Sequence, residues 1–148
     1  MIHGSENDVS ESAQMYLKEI YLLSRDGEAA RTGELAERLG VSPPSVTEMF
    51  GRLEEDGLLE YEKRRGAHLT DDGTDRARRL LRKHCLIERF LVDALDVEAG
   101  FHDEACELEH VLSDDTAERL ERFVDMPADC PDCYDPEAQH CSRLSVAD

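Results

Sequence analysis

The stretch "TGELAERLGVSPPSVTEMFGRLEEDGLL", residues 32–59, leaves this chain few ways to fold. Gly40 suits the left-handed conformation that ends a helix, and Thr32 stands where an N-cap is expected, so a short helix is predicted between them. Ser42 can cap a second helix. Pro43 suits its first position, where the missing N–H would go unpaired in any case. Val46, Met49, Phe50 and Leu53 then share one helical face, and Gly57 ends the run. Two short helices joined by "GVS", the second opening on polar residues, predict a helix-turn-helix.

The flanking sequence extends this motif. Residues 12–24 predict an amphipathic helix, with Ala13, Tyr16, Leu17, Ile20 and Leu23 on one face. After the helix-turn-helix, "LLEYEKRRGAHLT" alternates as a β-hairpin does, with "KRRG" as its turn. A helix-turn-helix followed by a hairpin is a winged helix, and its wing tip carries Lys63, Arg64 and Arg65. Thr70 caps a long helix whose apolar face (Leu80, Leu81, Ile87, Phe90, Leu91, Leu95) is too broad for a solvated helix. Two further helices follow, broken near "SDD". Helices this few cannot bury such faces alone, so a second copy of the chain is the expected cover. The fold class is therefore mostly α: an N-terminal winged helix-turn-helix (1–74), an all-helical dimerisation and metal-binding domain (75–125) and a Cys-rich, irregular tail (126–148).

Charge bounds the setting. The net charge is −18, from 35 acidic and 17 basic residues, and lysine occurs only at Lys18, Lys63 and Lys83. Acid spread along the whole chain with so little lysine points to a salt-rich, halophilic cytoplasm, where the Debye length falls to about 3 Å and self-repulsion costs little. No apolar run approaches the roughly 18 residues of a membrane span, and "MIHGSENDVSES" is too acidic for a signal peptide. A cytoplasmic protein with no membrane partner is expected. Five cysteines, an odd number, argue for thiols as ligands or sensors rather than for a disulfide framework.

The segment "HDEACELEH", residues 102–110, aligns His102, Cys106, Glu109 and His110 on one helical stripe beside an apolar face formed by Leu108, Val111 and Leu112. Solvation on an exposed helix would explain any one of them. Together they suit a divalent cation, because Cys106, Glu109 and His110, at i, i+3 and i+4, can converge on one ion. Upstream, His84 and Glu88 stand at i, i+4 and could join His102 in a three-ligand site.

From Ser12 to Phe123 the chain resembles the iron- and manganese-dependent repressors, the DtxR, IdeR and MntR family. The likeness is carried by "MYLKEIYLL", "LAERLGVSPPSVTEM", "EEDGLL", "LTDDG", "RKHCLIERFL" and above all "HDEACELEHVLSDD". It implies a primary, activating site of Met15, Cys106, Glu109 and His110, and an ancillary site of His84, Glu88 and His102. It also implies repression of metal-uptake genes by a homodimer bound to a double-stranded DNA operator. One ion held by Met15 and by Cys106–His110 would couple metal binding to the DNA-binding core. Met15 and Cys106 match the iron-responsive branch, and soft thioether and thiolate donors suit Fe2+ better than Mn2+; Mn2+, Co2+, Ni2+ or Zn2+ would substitute in vitro. The iron-type relatives usually add an SH3-like domain that supplies ancillary ligands, and this chain is too short to hold one. That site is then completed by water, by the Cys-rich tail or not at all. Cys85 replaces an arginine frequent in that branch.

The tail offers Cys130, Cys133, His140 and Cys141, read as a separate metal or redox site, as an unstructured tail, or as donors to the ancillary site. For DNA, Ser42, Pro44, Ser45, Thr47 and Glu48 lie at the start of the reading helix, which should enter the major groove. Arg52, Arg65 and Ser12 match phosphate-contact positions of the family. Two other readings stand beside this one: a Mn2+-responsive regulator of the same family, and a metal-independent winged-helix regulator that senses redox state through its thiols. The sequence shows neither a nucleophile–base arrangement nor a phosphate loop, so no enzyme is expected.

Overall fold

A computed structural model describes residues 10–142 and 144; the acidic residues 1–9, part of the stretch weighed above as a leader, lie outside them. The chain divides into two compact units, with the boundary after Arg78. No helix among the described residues is long and apolar enough to cross a membrane.

The first unit is a winged helix-turn-helix. Helix α1 (Glu11–Ser24) opens on Ser10, whose hydroxyl accepts from the Ala13 N–H at 3.1 Å. Helix α2 (Thr32–Leu39) ends at Gly40, which takes the left-handed conformation (φ 69°). Thr32 is the first residue inside this helix rather than its cap. Ala30 is held in an antiparallel bridge with Ala67, so the chain stays extended through Arg31, and Arg31 takes the capping position without a side-chain bond. Helix α3 (Pro43–Glu55) is capped as expected, the Ser42 hydroxyl accepting from the Ser45 N–H. Val46, Phe50 and Leu53 of α3 are buried with Leu17 and Ile20 of α1 and Leu35 of α2.

Strands β1 (Leu59–Glu62) and β2 (Gly66–Leu69) pair antiparallel in the register Leu59↔Leu69 to Glu62↔Gly66, which places Lys63, Arg64 and Arg65 in the turn. The Ala30–Ala67 bridge, with N···O distances of 2.9 and 2.8 Å, seats the wing on the segment before α2. It brings the backbones so close that a Cβ on Gly66 would stand 2.5 Å from the Ala30 carbonyl oxygen, at φ +110°. Helix α4 (Asp71–Arg89) starts in this unit, and the Thr70 hydroxyl caps it by accepting from the Gly73 N–H.

The second unit holds the end of α4, one turn of π-helix (Phe90–Ala94), α5 (Phe101–Leu108), α6 (Asp114–Leu120) and a 3-10 turn (Glu121–Phe123). Ile87, Leu91 and Ala105 pack together, joined by Val97, Phe101 and Leu112. Two points differ from the sequence reading. Helix α5 ends at Leu108, so Glu109 and His110 lie in the turn beyond it, although Glu109 keeps helical dihedrals (φ −60°, ψ −27°). The tail is not irregular throughout: β3 (Tyr134–Asp135) and β4 (His140–Cys141) form a short antiparallel pair, and Cys130, Cys133, Tyr134, Cys141 and Leu144 are buried. Thiols and a tyrosine ring supply the apolar surface that periodic Leu or Val would have announced.

Two glycine replacements separate close approach from open space. Gly66→Ala should lower stability by about 1–3 kcal/mol through strain and collision. Gly33→Ala, where an added Cβ meets nothing within 4 Å, should gain a few tenths to about 1 kcal/mol from helix propensity. Urea unfolding midpoints of the full chain check both signs.

Candidate metal centre and DNA-facing surface

The apolar packing of Ile87, Leu91 and Ala105 presses the end of α4 against α5. The residues beside that contact are not apolar. His84, Glu88 and Glu109 are 0, 0 and 1 % exposed. His84 Nδ1 and Glu109 Oε1 are hydrogen-bonded at 2.6 Å. His84 Nε2 lies 3.0 Å from Glu88 Oε2, but out of line for a hydrogen bond. His102 Nδ1 stands 3.4 Å from the same Glu88 oxygen, and its Nε2 is 3.5 Å from Cys106 Sγ. The two imidazoles meet edge to face, with centroids 4.9 Å apart. His110 Nε2 is 3.5 Å from Glu109 Oε2.

The ligand atoms of His84, His102 and Cys106 all lie within 4.8 Å of one another, the only such group of His, Cys, Asp or Glu among the described residues. Six of the seven expected ligands are thus gathered in the second unit, but not as two separate sets. His84 reaches Glu109, and His102 reaches Cys106, across the division the family resemblance implies. Met15, the seventh, is half-buried on α1 of the first unit.

Charge is shared among the side chains of this cluster. Burial alone would depress the His84 pKa, but Cys106, Glu109 and Glu88 outweigh it and raise it to about 10. Cys106 and Glu88 raise His102 to about 9. Burial alone would raise Glu88, yet His102 and His84 keep it below the usual carboxylate value. Protons on the imidazoles therefore balance the buried carboxylates. The balance is incomplete in hydrogen bonds: His84 Nε2, both Glu88 oxygens and His102 Nδ1 are buried with no hydrogen-bond partner. Orphaned buried polar atoms each cost on the order of 1–3 kcal/mol, more when charged. A divalent cation would satisfy them directly, and a donor set of imidazole, carboxylate and thiol fits a transition metal.

The expected DNA-facing residues sit on the surface of the first unit. Pro44, Ser45, Thr47, Glu48 and Arg52 are exposed on α3, as are Ser42 at its cap and Ser12 in the first turn of α1. The Ser42 and Ser45 hydroxyls are 2.9 Å apart, and Thr47 Oγ1 donates to the Pro43 carbonyl at 3.2 Å. Lys63, Arg64 and Arg65 are exposed at the wing tip, where Arg65 lies 3.5 Å from Glu62.

In the tail, Cys130, Cys133 and Cys141 are buried, and His140 Nδ1 donates to the Cys141 carbonyl at 2.8 Å. The sequence reading missed two neighbours here. Tyr134 meets His84 edge-on, with centroids 5.5 Å apart. Cys85 is fully buried on α4, and the neighbouring Cys130 thiol, together with burial, pushes its pKa up. The only signal for Cys85 was a thiol beside His84 on an apolar helix.

Residues 8–67 match the family model described as "Iron dependent repressor, N-terminal DNA binding domain", and residues 70–135 match "Iron dependent repressor, metal binding and dimerisation domain". The chain is 39% identical over 126 residues to the iron-dependent repressor IdeR of Mycobacterium leprae, an alignment covering 84% of this chain and 55% of that protein. It is 40% identical over 119 residues to an HTH-type transcriptional regulator of Methanocaldococcus jannaschii, covering 79% of this chain and 95% of the relative. Among solved structures it is similar to the manganese regulator SloR, with a TM-score of 0.69 and 42% identity over 80% of this chain and 56% of that one. The chain spans about half the length of the curated iron-dependent relatives it matches.

The raised imidazole pKa values set a pH dependence. His84 and His102 hold protons more tightly in the folded chain than when unfolded. Their contribution to stability is present in full below about 6.5 and is lost as pH rises through about 9 and about 10. A metal must expel these protons. Mn2+ affinity, measured by chelator competition, should therefore rise between pH 6.5 and 9, with a slope of up to about two imidazole protons per ion.

Proposed function

This chain belongs to the iron dependent repressor family, and from that premise we propose that it is a divalent-metal-dependent repressor binding double-stranded operator DNA as a homodimer. The reading rests above all on the convergence of His84, His102 and Cys106, with Glu88 beside them, and on the buried atoms His84 Nε2, His102 Nδ1 and both Glu88 oxygens, which a cation would engage. The ion, when bound, supplies positive charge and directional bonds where imidazolium protons otherwise serve. No residue is assigned a catalytic step.

Fe2+ is the ion proposed. A thiol among the buried donors suits Fe2+ better than Mn2+. The second reading is Mn2+, favoured by the two buried carboxylates and by the likeness to a protein described as a manganese regulator. The helix dock is α3, whose exposed first turns carry Pro44, Ser45, Thr47 and Glu48; the wing cations Lys63, Arg64 and Arg65 suit phosphate. A homodimer would cover part of the apolar surface of the second unit, where Val111 is 75 % exposed, Phe123 72 % and Leu95 55 %.

Gel shifts with genomic fragments selected by the metal-loaded protein test this reading. Cys106→Ala should raise the Fe2+ concentration needed for DNA binding by about 10–100-fold, the scale on which losses around metal sites fall. Dimer mass by light scattering should not change. Cys106→Asp should move the preference toward Mn2+. A full Fe2+ response in Cys106→Ala, or a shift indifferent to chelator, would instead favour the metal-independent redox regulator. With a net charge of −18, the working medium is proposed to be salt-rich. Affinity should then fall less steeply with KCl than the roughly 0.9 log units per phosphate contact of an ordinary binder.

A further inference from the structure

Four of the five cysteines form a second constellation, and none of them is used in the reading above. Cys85 of α4, Cys130 and Cys133 of the C-P-D-C turn and Cys141 of β4 are 0, 8, 6 and 0 % exposed. None of them is in a disulfide. Cys141 Sγ donates to Cys133 Sγ at 3.2 Å, and the Cys85 thiol is the first cause that holds the Cys130 thiol below its ordinary pKa. Helix α4 and the tail, more than 40 residues apart in sequence, thus place buried thiols together.

Two arginines face this chain. Arg89 Nη2 donates to Cys141 Sγ at 3.6 Å, and the Arg82 charge helps to hold the Cys130 thiol below its ordinary pKa. Each also reaches one carboxylate, Asp93 at 3.6 Å and Glu121 at 2.7 Å. Arg89 is only 8 % exposed, and its Nε has no hydrogen-bond partner. Neutral thiols are poor partners for buried guanidinium groups, whereas thiolates are good ones.

We propose that Cys85, Cys130, Cys133 and Cys141 bind one zinc-class ion as a structural tetrathiolate site. Four thiols lose four protons to one dication, leaving a centre of charge −2 that faces Arg89 and Arg82, each of which is shared with one carboxylate. The Cys-x-x-Cys spacing of 130 and 133 suits such a site, and an all-sulfur set selects a soft, tetrahedral ion over Fe2+ or Mn2+. Cys85, rather than His140, is assigned as the fourth ligand because it is fully buried on α4, whereas His140 is only half-buried. No three of the four sulfurs lie mutually within 4.8 Å, so the ion would draw them together by rotation about their Cα–Cβ bonds. Its effect is to fasten the β3–β4 hairpin to α4. That hairpin carries Tyr134, whose ring lies against His84, so the ion holds one wall of the imidazole cluster in place.

The full chain, loaded with Zn2+ alone and dialysed against EDTA, should retain about one zinc, as a closed four-sulfur site does. Cys106→Ser should keep that zinc; Cys133→Ser and Cys85→Ser should lose it. Co2+ in place of zinc should give the intense d–d bands and sulfur-to-cobalt charge transfer of a tetrahedral tetrathiolate, unchanged in Cys106→Ser. That spectrum decides the matter even if a cysteine variant fails to fold. Retention of zinc in Cys133→Ser, an octahedral or nitrogen-dominated cobalt spectrum, or a dialysed wild-type chain with no zinc would overturn the proposal. So would pairwise disulfides in protein purified without oxygen.

Discussion

Two carboxylates and an imidazole with no access to water govern the second unit. Glu88, Glu109 and His84 are as buried as the leucines around them. Ionised groups in such a place are costly unless each meets an opposite charge, on the order of several kcal/mol per ion. His84 answers by placing one ring nitrogen against each carboxylate, at 2.6 and 3.0 Å. This requires the end of α4 and the turn after α5 to face each other in one register. The packing of Ile87 and Leu91 on Ala105 provides that register. The apolar contact and the polar cluster therefore depend on each other, and a change in what balances the carboxylates, proton or metal, acts on the helix pair itself.

The tail takes part in the same arrangement. Its turn and short hairpin are too small to form a core alone. They are nonetheless buried, because α4 offers Cys85 and His84 on adjacent positions and the tail answers with Cys130 and Tyr134. One side chain of this pair joins the thiols and the other joins the imidazoles. The cysteines of the tail thus serve as packing and as soft donors, two roles that composition alone does not separate.

In the first unit the wing depends on a backbone approach rather than on side chains. The paired bonds between Ala30 and Ala67 bring the hairpin onto the entry to α2, and Gly66 is the residue that allows it. The wing cations project from a turn in which Arg64 takes a positive φ of 81°. Ser42 and the two prolines after it start α3 with its polar first turn facing outward. Recognition helix and wing are thus set by local rules that operate within a few residues of each other.

That locality explains what could be read from the chain. Caps, left-handed glycines and helical spacing are short-range effects, so the helix-turn-helix, the hairpin and the Thr70 cap all followed from residue type, although Gly66, read as part of the turn, is the first residue of β2 and pairs with Glu62. The Thr32 cap failed because a distant strand, through Ala67, held Ala30 and Arg31 extended. The concentration of polar donors was also legible, since His, Cys and Glu at i, i+3 and i+4 are rarely placed together for packing alone. Their contacts were not. The resemblance implied one set with Cys106, Glu109 and His110 and another of His84, Glu88 and His102, whereas helix packing puts His84 against Glu109 and His102 against both Glu88 and Cys106. The same holds for Cys85, which joins thiols more than 40 residues away. By itself the sequence determined the elements, the donor types and the acidic charge, because each depends on residues close in the chain. Which donors meet, and which thiols share a buried region, only the tertiary structure decided, because apolar packing between helices sets those distances.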